Sequence, residues 1–114
     1  ELRLYSTQEV DLSHFVGFQK LQDLDLYGCT LLYPEALTLL PSLRLLNLGE
    51  TGVNDLSFLP EMPAMTDVDL RNDPLTDLTP LLDCPWLSLL TLSPRHQPLV
   101  QEQLSQAVFQ IQYQ

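Results

Sequence analysis

The stretch Leu21–Leu31, LQDLDLYGCTL, decides the fold. Its apolar residues stand at Leu21, Leu24, Leu26 and Leu31, with Cys29 two places before the last. A helix repeats its apolar residues every three to four positions, and a half-buried strand alternates them. Alternation here covers Leu24 and Leu26 and then stops, so neither period accounts for the whole. The spacing returns 22 residues later at Leu43-Leu46-Leu48, then at Met65-Val68-Leu70 and Leu87-Leu90-Leu92 after two further steps of 22. Leu2 and Leu4 occupy the fourth and sixth places of an earlier unit.

Each unit is numbered from Leu21, Leu43, Met65 or Leu87, and positions 1, 4, 6 and 11 are then apolar through three units. Position 9 holds Cys29, Thr51 and Asp73. The second halves are as regular: Asp-Leu-Ser stands at Asp11 and Asp55, and Asp-Leu-Thr at Asp77, all in one phase. Leu37, Leu59 and Leu81 share position 17, and Pro41, Pro63 and Pro85 share position 21. An aspartate before an apolar turn reads as the N-cap of a short helix or 3₁₀ turn. A proline at the unit's end stops that turn and feeds the next strand.

This pattern resembles the leucine-rich repeat, LxxLxLxxNxL with Asn or Cys at the ninth place. Leu21–Leu31 meets it with Cys29 ninth, and the likeness covers essentially the whole chain. The Asp-Leu-Ser halves are similar to those of the 22-residue bacterial, internalin-like class. The resemblance implies an α/β solenoid, with parallel strands on a concave face and short helices and 3₁₀ turns on the convex face. One domain then spans residues 1–114, with a partial repeat over 1–20, repeats starting near 21, 43, 65 and 87, and a cap over 94–114. Stacking is what lets such units bury their leucines.

Two segments depart from the period. After Leu31 the chain reads LYPEALTLLPS, without Asp-Leu-Ser. Pro34 suits the first turn of a helix and Glu35 its positive end, which predicts a regular α-helix there. Past Leu92, residues 98–108 (PLVQEQLSQAV) read as an amphipathic helix, with Trp86 and Pro94 packing under it. Phe109, Ile111 and Tyr113 then alternate with glutamine as a final strand would. The chain opens in mid-repeat without Met, as the C-terminal part of a larger protein whose upstream region covers the first repeat would.

Fifteen acidic residues against five basic ones give a net charge of −10. Nucleic acids and anionic membrane surfaces reward Lys and Arg, so neither is an expected partner. A basic protein partner is compatible. Cys29 and Cys84 fall in different columns and read as two reduced, buried thiols. No run of residues is long and apolar enough for a membrane span. We find no phosphate loop, nucleophile elbow or metal-spaced cluster, hence no enzyme, cofactor or metal site. His14 and His96 lie almost four repeats apart, roughly 18 Å along the stack at about 4.8 Å per strand, and both read as surface or turn residues.

Candidate contacts lie where the repeat leaves residues free. Positions 4 and 6 point inward, so 3, 5 and 7 face the opposite, concave side. Position 3 reads Glu1, Asp23, Leu45, Asp67, Leu89, and position 5 reads Arg3, Asp25, Asn47, Asp69, Thr91. Position 7 reads Tyr5, Tyr27, Gly49, Arg71, Ser93, and the period puts Ile111 and Tyr113 in the first two columns. Tyrosine offers large contact area with a polar tip. Like-charged aspartates on nearby strands repel, which a cationic ligand relieves. The candidate partner-binding set is Tyr5, Asp23, Asp25, Tyr27, Asn47, Asp67, Asp69 and Arg71. A Ca²⁺ site at the four aspartates has no loop spacing behind it.

The resemblance implies a non-catalytic module that recognises a protein. Three settings fit it: the sensor end of a larger intracellular, cytoplasmic protein such as a bacterial NACHT- or NLR-like NTPase, an internalin-like surface adhesin, or repeats that pack on the parent's own domains.

Overall fold

The computed structural model describes residues 1–4 and 9–114, so Tyr5 lies outside the described residues. Strands β1 (Leu2–Arg3), β3 (Asp23–Asp25), β5 (Leu45–Asn47), β6 (Asp67–Asp69), β7 (Leu89–Leu92) and β8 (Gln110–Tyr113) form one sheet in the order β1-β3-β5-β6-β7-β8. All neighbours are parallel. A second, two-stranded parallel sheet joins β2 (Glu9–Asp11) and β4 (Thr30–Leu32). Parallel neighbours need a crossover rather than a hairpin, and each unit's second half supplies it.

The register follows the 22-residue step. Leu24 lies opposite Leu46, Leu46 opposite Val68, and Val68 opposite Leu90. These position-4 residues and the position-6 row of Leu26, Leu48, Leu70 and Leu92 are buried. From the other side come Leu37, Leu59 and Leu81, each fully buried, with Leu12, Leu56 and Leu78 beside them. One core thus runs the length of the stack, and each layer meets the next through the same positions. Cys29 and Cys84 lie buried in that core, and burial pushes the Cys84 thiol up to about 11. A thiol so protonated is a weak nucleophile.

The turn after each strand has a fixed shape. Position 8 has a positive φ in three consecutive units: 79° at Gly28, 55° at Glu50 and 62° at Asn72. The fourth unit has Pro94 there, and proline's ring cannot reach that region. Ser93 instead opens a 3₁₀ turn over Pro94–His96 that runs into α1, Gln97–Gln103. The repeat ends where its turn becomes impossible.

The convex side is built from 3₁₀ turns, including Pro34–Leu39 where an α-helix was expected. Leu40 is extended at φ −103°, ψ 91° because Pro41 follows it, and a residue before proline is pushed out of the helical region. With Pro34 and Pro41 closing both ends, the segment spans its gap with the longer rise of the 3₁₀ form. Met62 and Cys84, each before a proline, end their turns in the same way.

The aspartates of the Asp-Leu-Ser motif act as local caps. Asp11 Oδ1 accepts from the Ser13 amide at 3.0 Å and hydroxyl at 2.6 Å, and Asp77 does the same for Thr79. Asp55 accepts from the Ser57 amide at 3.0 Å. These bonds hold all three carboxyls below their ordinary range.

The cap differs from expectation in three ways. α1 stops at Gln103, five residues short of the end expected at 108. The last strand sits one residue out of the 22-residue count: Ile111 pairs with Leu90, while Gln110 and Gln112 pair with Leu89 and Thr91. Gln110 and Gln112, not Ile111 and Tyr113, therefore continue the concave columns. A one-residue slip exchanges faces, and this one turns Ile111 toward the core. Trp86 does pack against the core, but Pro94 is exposed.

His96 lies in a turn, one of its two expected places, but it is buried there. It is only 5% exposed, far from a surface histidine. Its Nδ1 accepts from the Ser93 amide at 3.2 Å, and its Nε2 lies 2.9 Å from the Asp73 carbonyl. The neutral ring protonated on Nε2 satisfies both partners at once. His14, by contrast, is exposed beside Asp11.

Candidate binding face

The strand registers place the candidate residues on one concave surface. Asp23, Leu45, Asp67, Leu89 and Gln110 form one row across the sheet. Arg3, Asp25, Asn47, Asp69, Thr91 and Gln112 form the next. Between them runs an open groove of about 260 Å³. It is lined by both rows from Glu1 to Leu89 and Thr91.

The two rows differ chemically. Every Asx residue at position 5 is tied to its own turn. Asp25 Oδ1 accepts from the Tyr27 amide at 3.0 Å, Asn47 Oδ1 from the Gly49 amide at 2.9 Å, and Asp69 Oδ1 from the Arg71 amide at 3.0 Å. The Asp25 and Asp69 carboxylates also meet guanidinium groups, Arg3 Nε at 3.2 Å and Arg71 Nε at 2.9 Å. The side chain replaces a backbone acceptor where the strand bends into the position-8 turn. These residues shape the face more than they offer free charge.

Position 3 is different. Asp23 and Asp67 are half-buried and make no hydrogen bond or ion pair among the described residues. They flank Leu45, and Leu89 follows Asp67 in the same row. The row alternates bare carboxylate with apolar side chain across four strands. Asp23 and Asp67 are two strand spacings apart, about 10 Å.

Tyr27 is engaged rather than free. Its hydroxyl donates to Glu50 Oε2 at 2.8 Å and accepts from Asn72 Nδ2 at 3.2 Å. The Arg71 guanidinium lies 5.2 Å from the ring centroid. Asn72 is held in turn by the Ser93 hydroxyl, which donates to its Oδ1 at 2.9 Å and accepts from its amide at 2.8 Å. Tyr27 thus ties three units together. Gly49 makes room for it: a Cβ there would lie 2.6 Å from Tyr27 Cδ2. Gly49→Ala should therefore cost about 1–3 kcal/mol of stability, as overpacking does. It should also shift the Tyr27 ring resonances in an NMR spectrum. Unchanged ring shifts would show that the clasp does not need this glycine.

Of the expected set, Asp23, Asp25, Tyr27, Asn47, Asp67, Asp69 and Arg71 share this face, and Tyr5 lies outside the described residues. The sequence reading overlooked Glu50 and Asn72, the polar partners of Tyr27 at position 8. Among the described residues, no three His, Cys, Asp or Glu side chains are grouped to hold a metal ion. No described helix is long and apolar enough to cross a membrane.

No protein-family model matches the sequence, and no curated protein matches it either. Solved structures do. An internalin, InlF, from Listeria monocytogenes superposes with a TM-score of 0.67 at 31% identity, over 75% of this chain and 26% of that one. Internalin C2 from the same species superposes with a TM-score of 0.74 at 25% identity, over 98% of this chain and 50% of that one. This chain therefore spans about a quarter and a half of the two proteins.

Proposed function

We propose, for a chain that is a leucine-rich-repeat solenoid of the 22-residue, internalin-like class, that it is a non-catalytic protein-recognition module whose concave sheet binds a partner with basic and apolar side chains. The observation that carries this reading is the position-3 row, where the unpaired carboxylates of Asp23 and Asp67 flank half-buried Leu45. A cation from a partner relieves the repulsion of the two carboxylates, and an apolar side chain between such cations covers Leu45. Asp25, Asn47 and Asp69 keep the strand ends rigid, so little ordering is needed on binding. Tyr27 and Arg71 pack on each other at position 7, just past the strand ends, and Tyr5 belongs to the same column of the repeat.

The test is selection of displayed peptides on the immobilised chain. Enriched sequences should carry Lys or Arg on both sides of an apolar residue, and Asp23→Lys/Asp67→Lys should lose them. Enriched peptides without basic residues, or held equally by that variant, would sink the reading.

The module's setting is a finer proposal. We read it as the sensor end of a larger, cytoplasmic protein, of which a NACHT- or NLR-like defence NTPase is one form. The likeness to internalins favours a second reading, a surface adhesin. The coding sequence upstream separates them: a nucleotide-binding P-loop supports the first, a secretion signal the second.

A further inference from the structure

Asp73 occupies position 9 of the third unit and is 0% exposed. It is the point where three units meet. Its Oδ1 accepts from the amides of Thr51 and Gly52 in the preceding unit, both at 3.0 Å. Its backbone carbonyl accepts from Arg95 Nη2 at 3.0 Å, with His96 Nε2 at 2.9 Å, both in the following unit. Its Oδ2 is buried and meets no donor among the described residues. Burying a carboxylate with one oxygen unpaired costs far more than burying a neutral carboxyl with an unpaired hydroxyl, so this setting favours the proton.

We propose that Asp73 is a proton-operated joint, which locks the second and third units together when its carboxyl is neutral and loosens them when the proton leaves. The groups around it act in that sense. Burial opposes its charge most strongly, and Asp69, on the adjoining concave strand, opposes it further. The two amides and Arg95 act the other way but do not prevail, and the carboxyl is pushed up to about 7. Arg95 and His96 both point at the backbone carbonyl, not at Oδ2. The Thr51 hydroxyl is spent on the Leu48 carbonyl at 2.7 Å.

The sign follows. In the unfolded chain Asp73 ionises near 3.8, and in the fold only near 7. Between those values the fold holds a proton that the unfolded chain has lost, so stability falls as pH rises from about 4 to 7 and is level above. Acidification from pH 8 to 5 tightens the joint. Asp11, Asp55 and Asp77 work in the opposite direction and in another window, since their depressed carboxyls lose their contribution only below 3.8.

Urea unfolding of the whole chain at pH 5, 6, 7 and 8, with Asp73→Asn beside it, tests the proposal. Asparagine keeps the Oδ1 acceptor and cannot ionise. Across pH 7 to 5, the wild-type unfolding constant relative to that of Asp73→Asn should fall by up to tenfold per pH unit. Parallel profiles would overturn the joint. A ¹³C-carboxyl titration of the wild-type chain gives a second reading that holds even if the variant does not fold. An Asp73 inflection near 7 supports the proposal, and one in the ordinary carboxylate range near 4 refutes it.

Discussion

Leu70→Ala is expected to lower the unfolding free energy by about 2–5 kcal/mol, the range for a leucine truncated in a packed core. Leu70 is fully buried at position 6 of the third unit, and Leu48 and Leu92 hold the same place in its neighbours. Its loss leaves a cavity at a layer boundary, and both adjoining units lose contacts. A domain of this size has about 5–15 kcal/mol to lose, so the midpoint should fall sharply. Leu82→Ala provides the contrast. Leu82 is 46% exposed on the convex side, and its truncation should stay within about 0.5 kcal/mol. Urea titration of the two variants reads both values. Equal effects would mean that the 22-residue rows do not carry the stability.

The second large effect concerns binding. Asp23→Lys/Asp67→Lys should weaken a peptide obtained by display at least about 30-fold, the effect of losing about 2 kcal/mol at the centre of an interface. The fold should survive, because neither carboxylate makes a hydrogen bond or ion pair among the described residues. Asp69→Asn is the informative companion. Its Oδ1 can still accept from the Arg71 amide, so the turn should persist while the charge is lost. A loss with Asp69→Asn as large as with the double variant would transfer the energetic centre from position 3 to position 5. Isothermal titration separates the two outcomes.

The repeat was legible because it repeats. A single Leu-x-x-Leu-x-Leu is ambiguous, but four in register impose one strand spacing and one inward face. Leu24, Leu46, Val68 and Leu90 do lie side by side. Legibility failed where a competing local effect took over. At 34–39, Glu35 and Pro34 suggested a helix start, but Pro41 ended the turn before an α-helix could settle. At the C-terminus the count of 22 pointed Ile111 outward, but β8 pairs one residue out of that count and packs Ile111 partly against the core. His96 looked like an isolated turn residue because its partners are a backbone amide and carbonyl, which no side-chain pattern reveals.

The site was legible as a face and not as a mechanism. Period-two geometry is enough to bring Asp23, Asp25, Asp67 and Asp69 together. It cannot separate the aspartates that cap turns from those that remain unpaired, because both kinds follow the same alternation. An Asx residue three places before the positive-φ position 8 was the signal available, visible at Asp25 before Gly28. Tyr27 was read as a free contact, whereas Gly49 admits its ring to a clasp with Glu50, Asn72 and Arg71.

The central claim is that recognition occurs on the concave sheet through the position-3 row. The most direct measurement is an amide NMR map of the labelled chain with and without a display-selected basic peptide. The account predicts that shifts concentrate on β3, β5, β6 and β7, centred on Asp23, Leu45 and Asp67, and vanish with Asp23→Lys/Asp67→Lys. Shifts confined to the convex turns at 34–39, 59–61 and 79–83 would contradict it.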